Sequence, residues 1–76
     1  MAKVSIPTDG AAIKHHRQMA GWNSTPFATK VGITVGYLSR LEGGTRQASP
    51  AMLKRIADEL GVPMATLMPA VQVSGQ

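Results

Sequence analysis

Apolar residues along this chain recur at the three- and four-residue spacing of one helix face. Phe27, Ala28 and Val31 make one such face, and Leu38 and Leu41 a second. Leu53, Ile56, Ala57 and Leu60 make a third, while Ile13 and Ala20 sit two helical turns apart on an earlier segment. Between these faces the punctuation is that of helix ends. Thr8 or Asp9 can cap "GAAIKHHRQMA", and Gly21 can stop it in a left-handed conformation. Asn23 stands before "STPFATKV", where Pro26 falls in the first turn and its missing N–H costs nothing, and Gly32 ends the segment. Thr34 can cap "VGYLSRLE", closed by Gly43 and Gly44. Ser49, with Pro50 at the first helical position, opens "PAMLKRIADEL", which Gly61 ends. Pro63 can start a last short turn, "MATLM", before Pro69.

The short connections leave no space for strands within this body. Only the ends, "KVSI" and "AVQVS", alternate apolar and polar residues as a strand would. The expected fold is therefore all-α: a compact five-helix domain over residues 9–68, with an N-terminal arm (1–8) and a C-terminal tail (69–76) as short extended termini.

Composition narrows the function. A chain of 76 residues is one small domain, and 43% hydrophobic content suffices for its core. Cysteine is absent, which excludes disulfides and thiolate metal sites and fits a reducing cytosol. No apolar run is long enough for a signal sequence or a membrane span, so a cytoplasmic protein without membrane association is expected. Asn23-Ser24-Thr25 matches a glycosylation sequon by chance in that setting. The net charge of +4 is unevenly spread. From Gly10 to Ala57 the basic residues are Lys14, Arg17, Lys30, Arg40, Arg46, Lys54 and Arg55, against Glu42 as the single acid. Such a body suits a polyanionic partner, nucleic acid before an anionic membrane face.

The second and third predicted helices are joined by Gly32-Ile33-Thr34, which makes a helix-turn-helix. With Arg17, Gly21, Ala28, Gly32, "YLSRLEGG" and "LKRIADELGV" in this order, the run from Ile13 to Leu67 resembles the Cro/CI-type (XRE-like) helix-turn-helix domains of phage repressors and related bacterial regulators, a lambda-repressor-like fold. In such a motif the second helix lies in the major groove with its N-terminal residues toward base edges. The resemblance implies base-facing positions at Thr34, Val35, Gly36, Tyr37 and Arg40. Arg40 has the fork that matches guanine O6 and N7, or it holds a phosphate. Val35 can touch only apolar groups such as a thymine methyl, and Gly36 lets the duplex come closer. Ser24 stands where the family often has a glutamine at the start of the first motif helix. Its hydroxyl, with Thr25 and the helix N-terminus, can still meet a phosphate. The loop "GGTRQASP" brings Thr45, Arg46 and Gln47 toward phosphates, as the equivalent loop does in the family, and Arg46 is the leading ligand there. Few direct hydrogen bonds to bases are available from Val35 and Gly36, so selectivity leans on DNA shape or is modest.

The resemblance also implies a partly buried ion pair between Arg17 and Glu42, linking the first and third helices; the competing assignment puts Arg17 on a phosphate. Trp22 reads as core, with a stacking platform for sugar or base as the alternative. His15 and His16 are adjacent and diverge by about 100° on a helix, so they cannot chelate a metal together. His16 falls at the core edge and His15 outward. Met64, Met68, Val71 and Val73 follow the fourth helix, where the family often pairs, and are the expected dimerisation residues.

These residues point to a sequence-specific DNA-binding transcriptional regulator, most simply a repressor that occupies an operator on double-stranded DNA as a homodimer. It would act in the cytoplasm of a bacterial cell or a phage-infected host, associated with the nucleoid. No cofactor, metal or catalytic set is expected, since no nucleophile, base and orienting group come together. The alternative is a protein-interaction module or antitoxin-like partner protein on the same fold, with weak DNA selectivity.

Overall fold

The computed structural model describes residues 8–69. Within them the chain forms α1 (Gly10–Met19), α2 (Ser24–Val31), α3 (Val35–Gly43) and α4 (Pro50–Leu60), followed by a single 3₁₀ turn, Met64–Leu67. The expected fifth helix is this turn: Pro63 starts it, and four residues are too few for a full α-helical ladder. Both expected extended termini, "KVSI" and "AVQVS", lie outside the described residues.

Three of the four helices begin on a side-chain cap, which satisfies one of the free N–H groups of the first turn. Asp9 Oδ1 accepts from Ala12 N–H at 3.1 Å, Thr34 Oγ1 from Tyr37 N–H at 3.0 Å and Ser49 Oγ from Met52 N–H at 3.2 Å. Asp9 rather than Thr8 is thus the cap of α1. Asn23 has the extended backbone of a cap (φ −79°, ψ 162°), but its side chain makes no capping hydrogen bond.

The helices close over a core of Ile13, Phe27, Ala28, Val31, Leu38, Leu41, Ala48, Leu53, Ile56, Ala57 and Leu67. α1 packs against α3 and the 3₁₀ turn, and α2 against α3 and α4. Ala20, expected inside, is exposed because α1 ends at Met19 and the chain turns away there. Ala48, in the loop before α4, is fully buried. Leu60 is half-buried and packs on the core edge with Trp22, Tyr37, Met64 and Met68.

Two long-range features hold the start of α1. Gly10 presses against the last turn of α3: a Cβ there would lie 2.1 Å from Leu41 O and 2.7 Å from Glu42 O. No side chain larger than hydrogen fits between these backbones. Thr8, itself buried, donates its N–H to Gln47 Oε1 at 2.6 Å and accepts from Ala48 N–H at 3.0 Å through Oγ1. Asp9 N–H then donates to Leu67 O at 2.8 Å. The two residues tie the α3–α4 loop to the C-terminal turn.

Candidate nucleic-acid interface

The turn between α2 and α3 is built from its backbone. Gly32 takes φ 82°, the left-handed conformation that a Cβ penalises, and this ends α2. Ile33 N–H donates back to Ala28 O at 2.9 Å, and the chain re-enters a helix at Thr34 (φ −78°, ψ 155°). In the first turn of α3, Thr34 Oγ1 takes the Tyr37 N–H and Thr34 O takes the Leu38 N–H at 3.0 Å. Among the described residues the Val35 and Gly36 N–H groups are left without a protein partner. They form the positive end of the α3 dipole, the end suited to an anionic or hydrogen-bond-accepting surface.

α3 has two distinct sides. Leu38 and Leu41 are fully buried, whereas Thr34, Val35, Gly36, Ser39 and Arg40 are exposed. Val35 keeps 45% of its surface open, so the outward face carries one apolar side chain. At Gly36 an added Cβ would meet nothing nearer than its own neighbour Thr34 Oγ1 at 4.0 Å. Internal packing therefore gives no reason for glycine there. Tyr37, expected to face bases, is half-buried with its ring packed on the core edge, so only part of it joins the outward face. Ser39 does belong to that face, though sequence reasoning omitted it. Its spacing of four from Val35 and three from Gly36 was the available signal.

The flanking positions divide similarly. Ser24 is half-buried at the start of α2 and Thr25 exposed. Thr45 N–H and Oγ1 both donate to Arg40 O, at 3.0 and 3.3 Å, so the loop after α3 folds back on the helix. Arg46 is exposed beyond it. Gln47 is exposed, but its amide oxygen is engaged by Thr8 N–H, which ties this expected phosphate ligand to the start of α1.

Arg17 is 5% exposed and its guanidinium is spent internally. Nε donates to Glu42 Oε2 at 2.6 Å, Nη2 to Glu42 Oε1 at 3.2 Å and Nη1 to Trp22 O at 2.7 Å. Three of its five N–H donors are thus engaged, and its burial keeps the group from a phosphate. Trp22 is half-buried, its ring 5.7 Å from that of Phe27 and packed on the core. The His15 and His16 rings meet edge-on at 5.2 Å, His15 exposed and His16 half-buried. Met64 and Met68 are half-buried against this chain's own core, which leaves less apolar surface for pairing than expected; Val71 and Val73 lie outside the described residues.

Electrostatically, the only other ion pair among the described residues is the exposed Lys54–Asp58 contact at 3.3 Å. Lys14, Lys30, Arg40, Arg46 and Arg55 are exposed cations with no carboxylate partner among those residues. Arg55 was given no role by its position in the sequence. Its guanidinium nitrogens lie 3.5 Å from where a Cβ on Gly32 would stand, beside the C-terminus of α2, where a cation is favoured. Among the same residues no group of His, Asp or Glu could hold a metal ion, and no helix is long and apolar enough to cross a membrane.

A model of the helix-turn-helix family matches residues 13–67. The chain belongs to that family. The helix-turn-helix regulator YazB of Bacillus subtilis is 33% identical over 60 residues, 79% of this chain and 87% of that protein. Among solved structures, the clp gene regulator ClgR of Corynebacterium glutamicum is 32% identical at a TM-score of 0.69, covering 74% of this chain and 73% of that one. The biofilm regulator SinR of Bacillus subtilis, in complex with DNA, is 29% identical at a TM-score of 0.71 over 75% of this chain and 92% of that one. SinR bound to the protein SinI matches as well, at 30% identity and a TM-score of 0.74, over 79% of this chain and 59% of that one. The helix-turn-helix described above is thus that of a DNA-binding transcriptional regulator.

Proposed function

We propose that this helix-turn-helix represses transcription by occupying an operator on double-stranded DNA as a homodimer, with α3 in the major groove. One observation carries the reading: α3 buries Leu38 and Leu41 completely while presenting Thr34, Val35, Gly36, Ser39 and Arg40 to the outside. Arg40 supplies the long donor to a guanine edge, Val35 an apolar contact to a thymine methyl, and the exposed part of Tyr37 a lateral contact. Ser24, Thr25 and Arg46 hold phosphates on either side, while Thr45 and Gln47 are bonded within the protein and shape the loop that carries Arg46. Exposed cations without partner carboxylates favour such a surface, because each phosphate neutralised releases counterions.

Pairing would use the surface that Met64 and Met68 leave open, together with the segment holding Val71 and Val73. The site of action is the cytoplasm of a bacterial cell or infected host, on the nucleoid, and no cofactor takes part. Selection of bound sequences from a random duplex pool, followed by binding at several salt concentrations, tests the proposal. Operator recognition gives a steep salt slope with a sequence-dependent offset; uniform weak binding to all sequences contradicts it.

A second reading, docking of a protein partner on the same fold, is favoured by the exposure of Val35 and by the likeness to SinR in its complex with SinI. It predicts that duplex selection enriches no sequence.

A further inference from the structure

The loop that carries Arg46 is not positioned by the helices it joins alone. Its N-terminal end is fixed to α3 by the two Thr45 donors on Arg40 O. Its C-terminal end is fixed by Thr8, forty residues away in sequence, whose Oγ1 accepts the buried Ala48 N–H while its own N–H meets Gln47 Oε1. Ala48 itself is fully buried, so its N–H has no water to turn to. Between these two anchors stands Arg46, exposed and without a carboxylate partner among the described residues.

We infer that Thr8 and Gln47 are positioning residues for the phosphate contact of Arg46: they touch no DNA decisively themselves but hold the loop where the guanidinium can reach the backbone. This rests on the reading of Arg46 as a phosphate ligand. The physical ground is entropy. A loop held at one end samples many arrangements, and a phosphate contact made from it must pay for ordering the chain; a loop held at both ends has that cost already met by folding. Asp9, next in the chain, caps α1 and bonds to Leu67 O, so the anchor is itself rigidly seated.

The test is a double-mutant cycle on duplex binding by the full chain, with melting measured alongside. Thr8→Val removes the acceptor, Thr8→Ser keeps it, and Gln47→Leu removes the partner of the Thr8 N–H with a milder effect on the core. At a temperature where all variants are folded, Thr8→Val and Gln47→Leu should reduce the salt slope by up to about one unit, as Arg46→Ala does, and Thr8→Ser should restore it. Combined with Arg46→Ala, neither should weaken binding much further, because the contact they position is already gone. Losses that add fully to that of Arg46→Ala, with an unchanged slope, overturn the inference and leave Thr8 and Gln47 as stabilising residues only. If the unmodified chain binds no duplex, or Arg46→Ala binds as it does, the failure lies with the interface reading instead. Should Thr8→Val fail to fold, Gln47→Leu alone decides.

Discussion

Arg17 Nε lies 2.6 Å from Glu42 Oε2, with the two side chains 7% and 9% exposed, and the pair joins α1 to the last turn of α3. A third bond, from Nη1 to Trp22 O, holds the α1–α2 turn to the same guanidinium. One buried arginine therefore fixes α3, the helix proposed to enter the groove, and the turn that leads into α2.

Removing one partner of such a pair strands a buried charge, which costs about 3–5 kcal/mol. Glu42→Ala should lower Tm by more than about 10 °C in a domain of this size. Replacing both residues with Arg17→Met and Glu42→Leu should cost clearly less than the two single changes added, since no charge is then left unpaired. Thermal melts of Glu42→Ala, of the singles Arg17→Met and Glu42→Leu and of their double variant check this, and a double variant as unstable as the sum of its singles would contradict it.

Two glycines should respond oppositely to alanine. Gly10→Ala puts a methyl group 2.1 Å from Leu41 O, a backbone atom that cannot swing aside, and should destabilise by at least about 2–3 kcal/mol. Gly36→Ala meets open space and should stabilise by up to about 0.5–1 kcal/mol through helix propensity. Denaturant midpoints of both variants against the parent measure the contrast.

Much of this architecture is local in origin and so was legible in the sequence. Asp9, Thr34 and Ser49 cap helices because their own N3 neighbours supply the N–H, and Gly32, Gly44 and Gly61 take positive φ at helix ends. The core positions of α2, α3 and α4 follow from spacing alone. What the sequence hid is set by residues far away in the chain. Gly10 is required by the α3 carbonyls, Ala48 is buried by the fold closing over its loop, and the Thr8 bonds span about forty residues. Ala20 fitted the helical period but lay beyond the point where α1 stops. At the interface, spacing could have included Ser39, whereas the inward lean of Tyr37 and the use of Gln47 by Thr8 depend on tertiary packing.

The cations of the interface should separate by role. Arg46→Ala should weaken binding about equally on all sequences and flatten the salt slope by about one unit. Arg40→Ala should also lower the ratio of specific to non-specific affinity, as loss of a guanine contact does. Titrations on selected and scrambled duplexes distinguish the two, and an unchanged ratio for Arg40→Ala would reassign it to the backbone.

If two copies bind together, the selected site should be a palindrome with half-sites about 34 Å, one helical turn, apart. Truncation after Pro69 should then weaken binding by removing Val71 and Val73 from the pairing surface. Sedimentation of the chain free and on the palindrome gives the stoichiometry; a monomer in both conditions would exclude the homodimer.

The placement of α3 against DNA is tested most directly at Gly36. A leucine there faces open space, so the fold should persist with a cooperative melt. On the outward face, however, it would stand between α3 and the groove. Measured together, Tm and operator affinity of Gly36→Leu should show an intact domain that no longer binds its selected duplex. A Gly36→Leu variant that melts normally and binds that duplex as the parent does would mean that this face of α3 does not enter the groove.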